Sequence, residues 1–109
     1  MVKSQLVGSF GQRLRHARRL KGIPQDKLGV AIGLDEGSAS ARMSRYETGV
    51  HEPPYAIAVR LAEVLDIPAA FFYCEDDQLG SLLLIWNQLT EHHRQELLAI
   101  ARADPATFK

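Results

Sequence analysis

The sequence predicts an all-α fold, and three observations support this prediction. Apolar residues recur at helical spacing along most of the chain, and no stretch alternates apolar and polar residues for long enough to suggest a strand. Glycines and prolines separate these segments where helices are expected to end or begin. The chain has 109 residues, 46% of them hydrophobic and 24% charged, which is typical of a globular protein with one modest core.

The first two predicted helices are short and closely spaced. Ser9 is a candidate N-cap for the first, and Gly22 is expected to end it in the left-handed conformation. Its apolar stripe consists of Phe10, Leu14, Ala17 and Leu20. Pro24 suits the first position of the second helix, because its missing N–H costs nothing there. This second helix is predicted over residues 25–32, up to Gly33.

The third predicted helix ends at Gly49, and its start is open because Asp35 and Ser38 are both candidate N-caps. Its apolar stripe is narrow, and the rest of its surface carries small or basic side chains. A helix of this kind is not built mainly to fill a core.

The C-terminal half is predicted to contain four further helical pieces. The fourth helix spans residues 55–65, and a short fifth helix carries Phe71 and Phe72. The acidic residues 75–77 mark a boundary, which gives predicted domains at 1–78 and 79–109. The second of these holds two amphipathic helices, and Thr90 is the candidate N-cap of the last one. In the fourth helix, Val64 is among the residues predicted to face inward.

Three short motifs, in order, resemble the Cro/CI/Xre family of helix-turn-helix regulators. They are RLRHARRLKGIPQDKL at residues 13–28, SRYETG at 44–49 followed by Glu52-Pro53, and LAEVLDIP at 61–68. The resemblance covers roughly residues 9–74 and implies a lambda-repressor-like five-helix DNA-binding domain with a C-terminal helical extension. It also implies that the third helix enters the major groove of double-stranded DNA.

The resemblance and the chemistry of the side chains together suggest the DNA contacts. Gln25 lies where the family contacts the DNA backbone, at a helix N-terminus that attracts phosphate. The forked guanidinium of an arginine can pair with guanine N7 and O6. The candidate contacts in the third helix are Ser38, Ser40, Arg42 and Arg45, of which the two arginines match the family positions best. By resemblance, Arg18 and Glu47 form a structural ion pair instead of contacting DNA.

The chain departs from the family pattern in two places. About four extra residues lie within residues 35–40, and they lengthen either the third helix or the turn before it. The loop after Gly49 usually carries Lys or Arg, but here it offers only His51, next to the acidic Glu52. Fewer cations imply weaker DNA binding with a shallower salt dependence. His51 could strengthen the binding when it is protonated.

The C-terminal helices are predicted to form a homodimer interface, since regulators with one such helix per subunit gain affinity by binding two half-sites. The candidate interface residues are Leu82, Trp86, Leu89 and Leu97. A lid on the same core, or a pocket for an effector, would be alternative uses of these helices.

Charge is distributed unevenly, although the formal net charge is zero. Residues 1–21 carry six Lys or Arg side chains and no acid, whereas residues 51–80 carry six acids and one arginine. A basic face can therefore meet phosphate while an acidic face points away and is available to a protein partner.

The remaining motifs indicate no enzyme, metal or cofactor. The single cysteine excludes an intrachain disulfide, and the adjacent His92 and His93 diverge on a helix and cannot share a metal ion. No apolar run approaches the roughly 20 residues of a membrane span, so a cytoplasmic protein is expected.

The sequence therefore predicts a homodimeric repressor that binds a pseudo-palindromic operator. The rival interpretation is a protein-interaction module that kept the fold and lost DNA binding. An antitoxin-like partner protein on the same fold is a further alternative. Zero net charge and the non-basic loop favour the rival, whereas Arg42 and Arg45 favour the repressor.

Overall fold

Within residues 10–103, which the computed structural model describes, every regular element is helical, as predicted. The elements are α1 (Phe10–Lys21), α2 (Gln25–Ala31), α3 (Glu36–Thr48), α4 (Tyr55–Leu65), a 3-10 helix (Ala69–Tyr73), α5 (Asp77–Trp86) and α6 (Glu91–Arg102). The predicted cap at Ser9 lies outside the described residues. None of the described helices is both long and apolar enough to cross a bilayer.

Glycines in the left-handed region end the first three helices. Gly22, Gly33 and Gly49 have φ values of 71°, 100° and 83°. Gly49 is the C-cap of α3, and its N–H donates to the carbonyl of Tyr46. Pro24 is the N-cap of α2 and not its first helical residue, a shift of one position from the prediction.

The four extra residues lengthen α3, and the alternative of a longer turn is wrong. Asp35 is the N-cap, and α3 begins at Glu36. The added turn is held against α2, because Ala39 is fully buried beside Gly29. A Cβ atom at Gly29 would lie 2.7 Å from the Cβ of Ala39, so only glycine allows this approach. Packing of the added turn on α2 therefore favours helix over loop.

The core lies where α1 to α4 and the 3-10 helix meet. The largest fully buried side chains are Phe71, Phe72, Leu14, Leu28, Met43, Leu61 and Leu65. Each contributes on the order of 1.5–3 kcal/mol through burial.

Two residues predicted to face inward do not: Leu20 is 63% exposed and Val64 is 39% exposed. Leu20 lies beside Leu84 and Ile85 in a groove between α1 and α5, past the end of the core.

The last two helices are packed less deeply. Gly80 is the buried residue of α5, while Leu83 and Leu84 pack partly against the core. No residue of α6 is buried. The guanidinium of Arg94 ties α6 to α5 by donating from Nε and Nη2 to the carbonyl of Trp86, at 3.1 and 2.8 Å.

Candidate nucleic-acid interface

Helix α3 presents one polar face to solvent and buries the other. Ala39, Met43 and Tyr46 form the buried stripe. All four predicted base contacts, Ser38, Ser40, Arg42 and Arg45, are exposed. Thus the described structure leaves the two arginines free to meet a duplex along the outer face of α3.

The predicted loop residue His51 lies next to these arginines. A shallow concavity of about 370 Å³ is lined by Arg42, Arg45, Tyr46, His51, Glu52 and Pro54. The structure therefore brings three of the six predicted DNA contacts to one place. It also places Glu52 there, whose carboxylate would repel a phosphate at the same edge.

Gln25 occupies the first position of α2 and is half-buried. Its side-chain amide nitrogen donates to Glu47 Oε1 at 3.1 Å, and the hydroxyl of Ser40 lies 3.5 Å from its amide oxygen. Both ends of the amide thus have partners within the protein. This internal role of Gln25 was not evident from the sequence.

Glu47 is the centre of a charged cluster that joins α1, α2 and α3. Its side chain has no exposed surface. Arg18 pairs with it through Nε and, at 3.1 Å, through Nη2, and Arg15 Nε donates to it at 3.3 Å. Arg18 also donates from Nη1 to the carbonyl of Ile23 at 3.0 Å. The predicted partners Arg18 and Glu47 are therefore in contact, with Arg15 and Gln25 beside them.

The cluster lowers the pKa of Glu47 below its ordinary value. Burial acts in the opposite direction, because it penalises the charged carboxylate. Hydrogen bonds from Arg18, Gln25 and Arg15, together with the positive charge of Arg18, outweigh that penalty. Glu47 is consequently ionised at neutral pH.

The backbones of α1 and α3 also approach each other closely at this cluster. A Cβ atom at Gly11 would lie 2.3 Å from the carbonyl oxygen of Glu47. Because only glycine permits this approach, α1 supports the C-terminal end of α3 directly. The charged cluster and Gly11 together fix how α3 projects from the domain.

Arg13 is a structural residue that the sequence analysis missed. It is only 9% exposed, and it donates from Nε to the carbonyl of Cys74 at 2.9 Å and from Nη2 to Asp77 at 3.1 Å. The signal was available, because Arg13 lies three residues after Phe10 and four before Ala17, on the apolar face of α1.

The internal pairing changes the interpretation of the basic N-terminal segment. Arg13, Arg15 and Arg18 all contact carboxylates of the protein. Two carboxylates, Glu47 and Asp77, pair with these three arginines, so part of the positive charge counted in α1 is compensated within the protein. The exposed cations of α3 become correspondingly more important.

Three of the four predicted dimer residues line one apolar groove between α5 and α6. The groove has a volume of about 640 Å³ and is lined by Leu82, Ile85, Leu89, His93, Glu96, Leu97, Ala99 and Ile100. Trp86 does not line it. The guanidinium of Arg94 lies over the Trp86 ring at 5.1 Å from the centroid, so Trp86 is half-buried within its own chain.

Other candidate chemistry is accounted for by local structure. In the acidic segment, Asp76 caps α5 by accepting from the N–H of Leu79, and Asp77 pairs with Arg13. Cys74 is buried, and its thiol lies 3.2 Å from the carbonyl of Asp76. Among the described residues, no group of three or more His, Cys, Asp or Glu side chains could hold a metal ion.

Comparisons with known proteins agree with this architecture. A family model described as a helix-turn-helix domain matches residues 9–70. The crystal structure of the transcriptional regulator BswR is similar with a TM-score of 0.84 and 39% sequence identity, over 91% of this chain and 98% of that chain. The search of curated proteins gave no match.

Proposed function

The chain belongs to the helix-turn-helix family of transcriptional regulators, and from this premise we propose that it binds double-stranded DNA sequence-specifically as a homodimeric repressor. The observation that carries the proposal is the exposed arginine pair on α3, Arg42 and Arg45, on a helix whose opposite face is buried. In the major groove, such a face offers two forked guanidinium groups to guanine edges.

The supporting residues have distinct roles in this proposal. Ser38 and Ser40 lie toward the start of α3 and would contact bases or the adjacent backbone, and His51 would contact phosphate. Gln25 would contact phosphate from the start of α2, with its amide oriented by Glu47 and Ser40. Repression follows from occupancy, because a protein bound at an operator excludes other proteins from the same DNA.

We propose that the dimer forms through the apolar groove between α5 and α6, within the C-terminal unit 79–109. Ile85 is 47% exposed and Ile100 is 72% exposed, although both belong to apolar helix faces. Exposed contiguous apolar surface of this kind is typical of interaction sites. A second copy is the occupant we favour, since the same apolar groove on two copies can pair with itself across a twofold axis.

The dimer proposal predicts that a charge in the groove separates the subunits. Leu97→Glu is expected to raise the dimer dissociation constant by at least about 30-fold. This corresponds to a loss of about 2 kcal/mol or more in binding free energy, as is typical when a central buried interface residue is replaced. Analytical ultracentrifugation over a concentration series measures this constant. Gln88→Glu adds the same charge at an exposed position outside the groove and should leave the constant unchanged. A Leu97→Glu protein that remains dimeric would contradict the proposed interface.

DNA binding itself is tested by the salt dependence of affinity for a random-sequence duplex, measured by fluorescence anisotropy. On random-sequence DNA we expect Arg42 and Arg45 to neutralise phosphates instead of pairing with guanines. Two arginines on each subunit then neutralise about four phosphates, and log K should fall with log salt with a slope of about −4. A slope near zero, or no binding at low salt, would contradict the proposal.

A protein-interaction module on the same fold is the second candidate, and specific observations favour it. Glu52 lies in the same concavity as the α3 arginines, and three cations of α1 are already paired. An antitoxin-like protein would combine both functions by binding a partner through its acidic face. In this case, removing Arg42 and Arg45 would leave partner binding largely intact.

A further inference from the structure

Arg13 contacts the first turn of α5, the residues just before it and the 3-10 helix. Its Nε donates to the carbonyl of Cys74 just before α5, and its Nη2 donates to Asp77 in the first turn of α5. Its guanidinium also lies over the ring of Phe71, 5.4 Å from the centroid. A planar group with donors at fixed angles defines the direction of α5 more closely than apolar packing alone.

The absence of a side chain at Gly80 is part of this joint. Gly80 is buried, and a Cβ atom there would lie 3.3 Å from Arg13 Nη1 and 3.5 Å from the ring of Phe71. Helix α5 therefore lies directly against the guanidinium. A side chain at position 80 would press on the Arg13 guanidinium, which would have to shift by a few tenths of an ångström.

The helix that carries Arg13 is tied to α3 as firmly as it is to α5. Five residues farther along α1, Arg18 pairs with Glu47 near the end of α3. At the start of α1, Gly11 contacts the backbone of Glu47. Helix α1 therefore contacts both α3 and α5 through largely buried arginines and close backbone packing.

The other attachments of α5 are less directional. Leu83 and Leu84 pack partly against the core. At the far end, Asn87 Nδ2 donates to Asp66 at 3.4 Å in an exposed position, which is a weak hydrogen bond. Among the residues that the structure describes, Arg13 is thus the buried side chain with a polar contact to α5.

We propose that Arg13 is a positioning residue, which fixes the angle between the α5–α6 pair and α3 and so determines the half-site spacing that the dimer accepts. This inference rests on the proposed function. If the α5–α6 pairs of two subunits form the interface, the angle at Arg13 sets the separation and rotation of the two α3 helices. One base pair of added spacing changes that rotation by roughly 34–36°, which a rigid joint does not accommodate.

The angle is measured, without DNA, by the distance between a spin label on α3 and one just after the end of α5. The labels occupy Ala41→Cys and Gln88→Cys in a Cys74→Ser background, with labelled chains diluted into excess unlabelled protein. We expect one narrow distance distribution, which broadens or shifts in Arg13→Met. Asp77→Asn is the milder second variant, because Asp77 is 59% exposed and its change should not unfold the protein. Glu75→Gln removes a neighbouring exposed charge and serves as the matched control.

A distribution that stays narrow and unshifted in both Arg13→Met and Asp77→Asn would overturn the inference, whether or not the protein binds DNA. If the label distances change in these variants as expected but the unmodified protein does not bind DNA, only the proposed function is rejected.

The consequence for DNA is measured with duplexes whose half-sites are moved apart or together by one base pair. Unmodified protein is expected to lose about tenfold or more in affinity at the wrong spacing, and Arg13→Met about twofold or less. Affinity for a single half-site should not change, which separates positioning from a loss of stability. An unchanged spacing preference in a folded Arg13→Met protein would overturn the inference.

Discussion

Replacing both Arg42 and Arg45 with alanine should abolish sequence-specific DNA binding while leaving the protein folded. Both side chains are exposed on α3, and neither has a hydrogen bond or ion pair among the contacts of the described residues. A bidentate arginine–guanine contact provides about 1–3 kcal/mol of discrimination, so losing two should reduce affinity by at least about 30-fold per half-site. Electrophoretic mobility shift with a selected duplex measures the loss.

A matched double variant separates this effect from a simple loss of charge. Arg19→Ala with Arg102→Ala removes two exposed positive charges from α1 and α6, outside α3. We expect a small loss of affinity that is similar for specific and random duplexes. If the two double variants weaken binding equally, Arg42 and Arg45 contribute charge alone and do not contact base edges.

Replacing Glu47 with glutamine should produce the largest loss of stability. The glutamine keeps the shape of the side chain but leaves the guanidinium of Arg18, which is 12% exposed, without its counter-charge. Breaking a buried pair costs about 3–5 kcal/mol. Arg15 is 40% exposed, and its contribution is smaller because water screens it. We expect a loss of about 3 kcal/mol in the free energy of unfolding, measured by urea denaturation.

The control for this prediction is Glu63→Gln, which removes an exposed carboxylate from α4 and should change stability by less than about 0.5 kcal/mol. The pH dependence provides a second control. Because folding lowers the pKa of Glu47, its stabilisation is complete above the ordinary carboxyl value of 4.5 and is lost as pH falls through the lower folded pKa. Glu47→Gln should lack this contribution, and a loss below about 1 kcal/mol at neutral pH would show that the cluster is not structurally important.

Much of the fold could be predicted from the sequence because it depends on local signals. Gly22, Gly33 and Gly49 mark helix ends that any chain with these glycines would favour. The start of α3 could not be decided in this way, since Asp35 and Ser38 are equally good caps locally. The choice depends on the contact of Ala39 with Gly29, which is a tertiary interaction.

The candidate site was predictable to a similar degree. The exposure of Arg42 and Arg45 follows from helical periodicity, since Met43 and Tyr46 occupy the buried stripe. Helical periodicity does not predict which groups the arginines of α1 contact. Charge counting assigned them to a phosphate-binding surface, but Arg13 has its partners in a segment more than 60 residues away in the sequence.

The orientation of Trp86 illustrates the same limit. A tryptophan on an amphipathic helix is a natural interface anchor. Here Arg94, from the next helix, covers the ring and binds the carbonyl of the same residue. Ile85 and Ile100 are instead the exposed apolar side chains of the groove.

The most direct test of dimeric, sequence-specific DNA binding is selection of bound duplexes from a random library at low salt. The proposed function predicts enrichment of an inverted repeat whose half-site centres lie about one helical turn, 34–36 Å, apart. Guanines at the positions facing Arg42 and Arg45 should be the most strongly selected. Recovery of duplexes with no enriched sequence would contradict the account and leave the protein-interaction module as the better description of this fold.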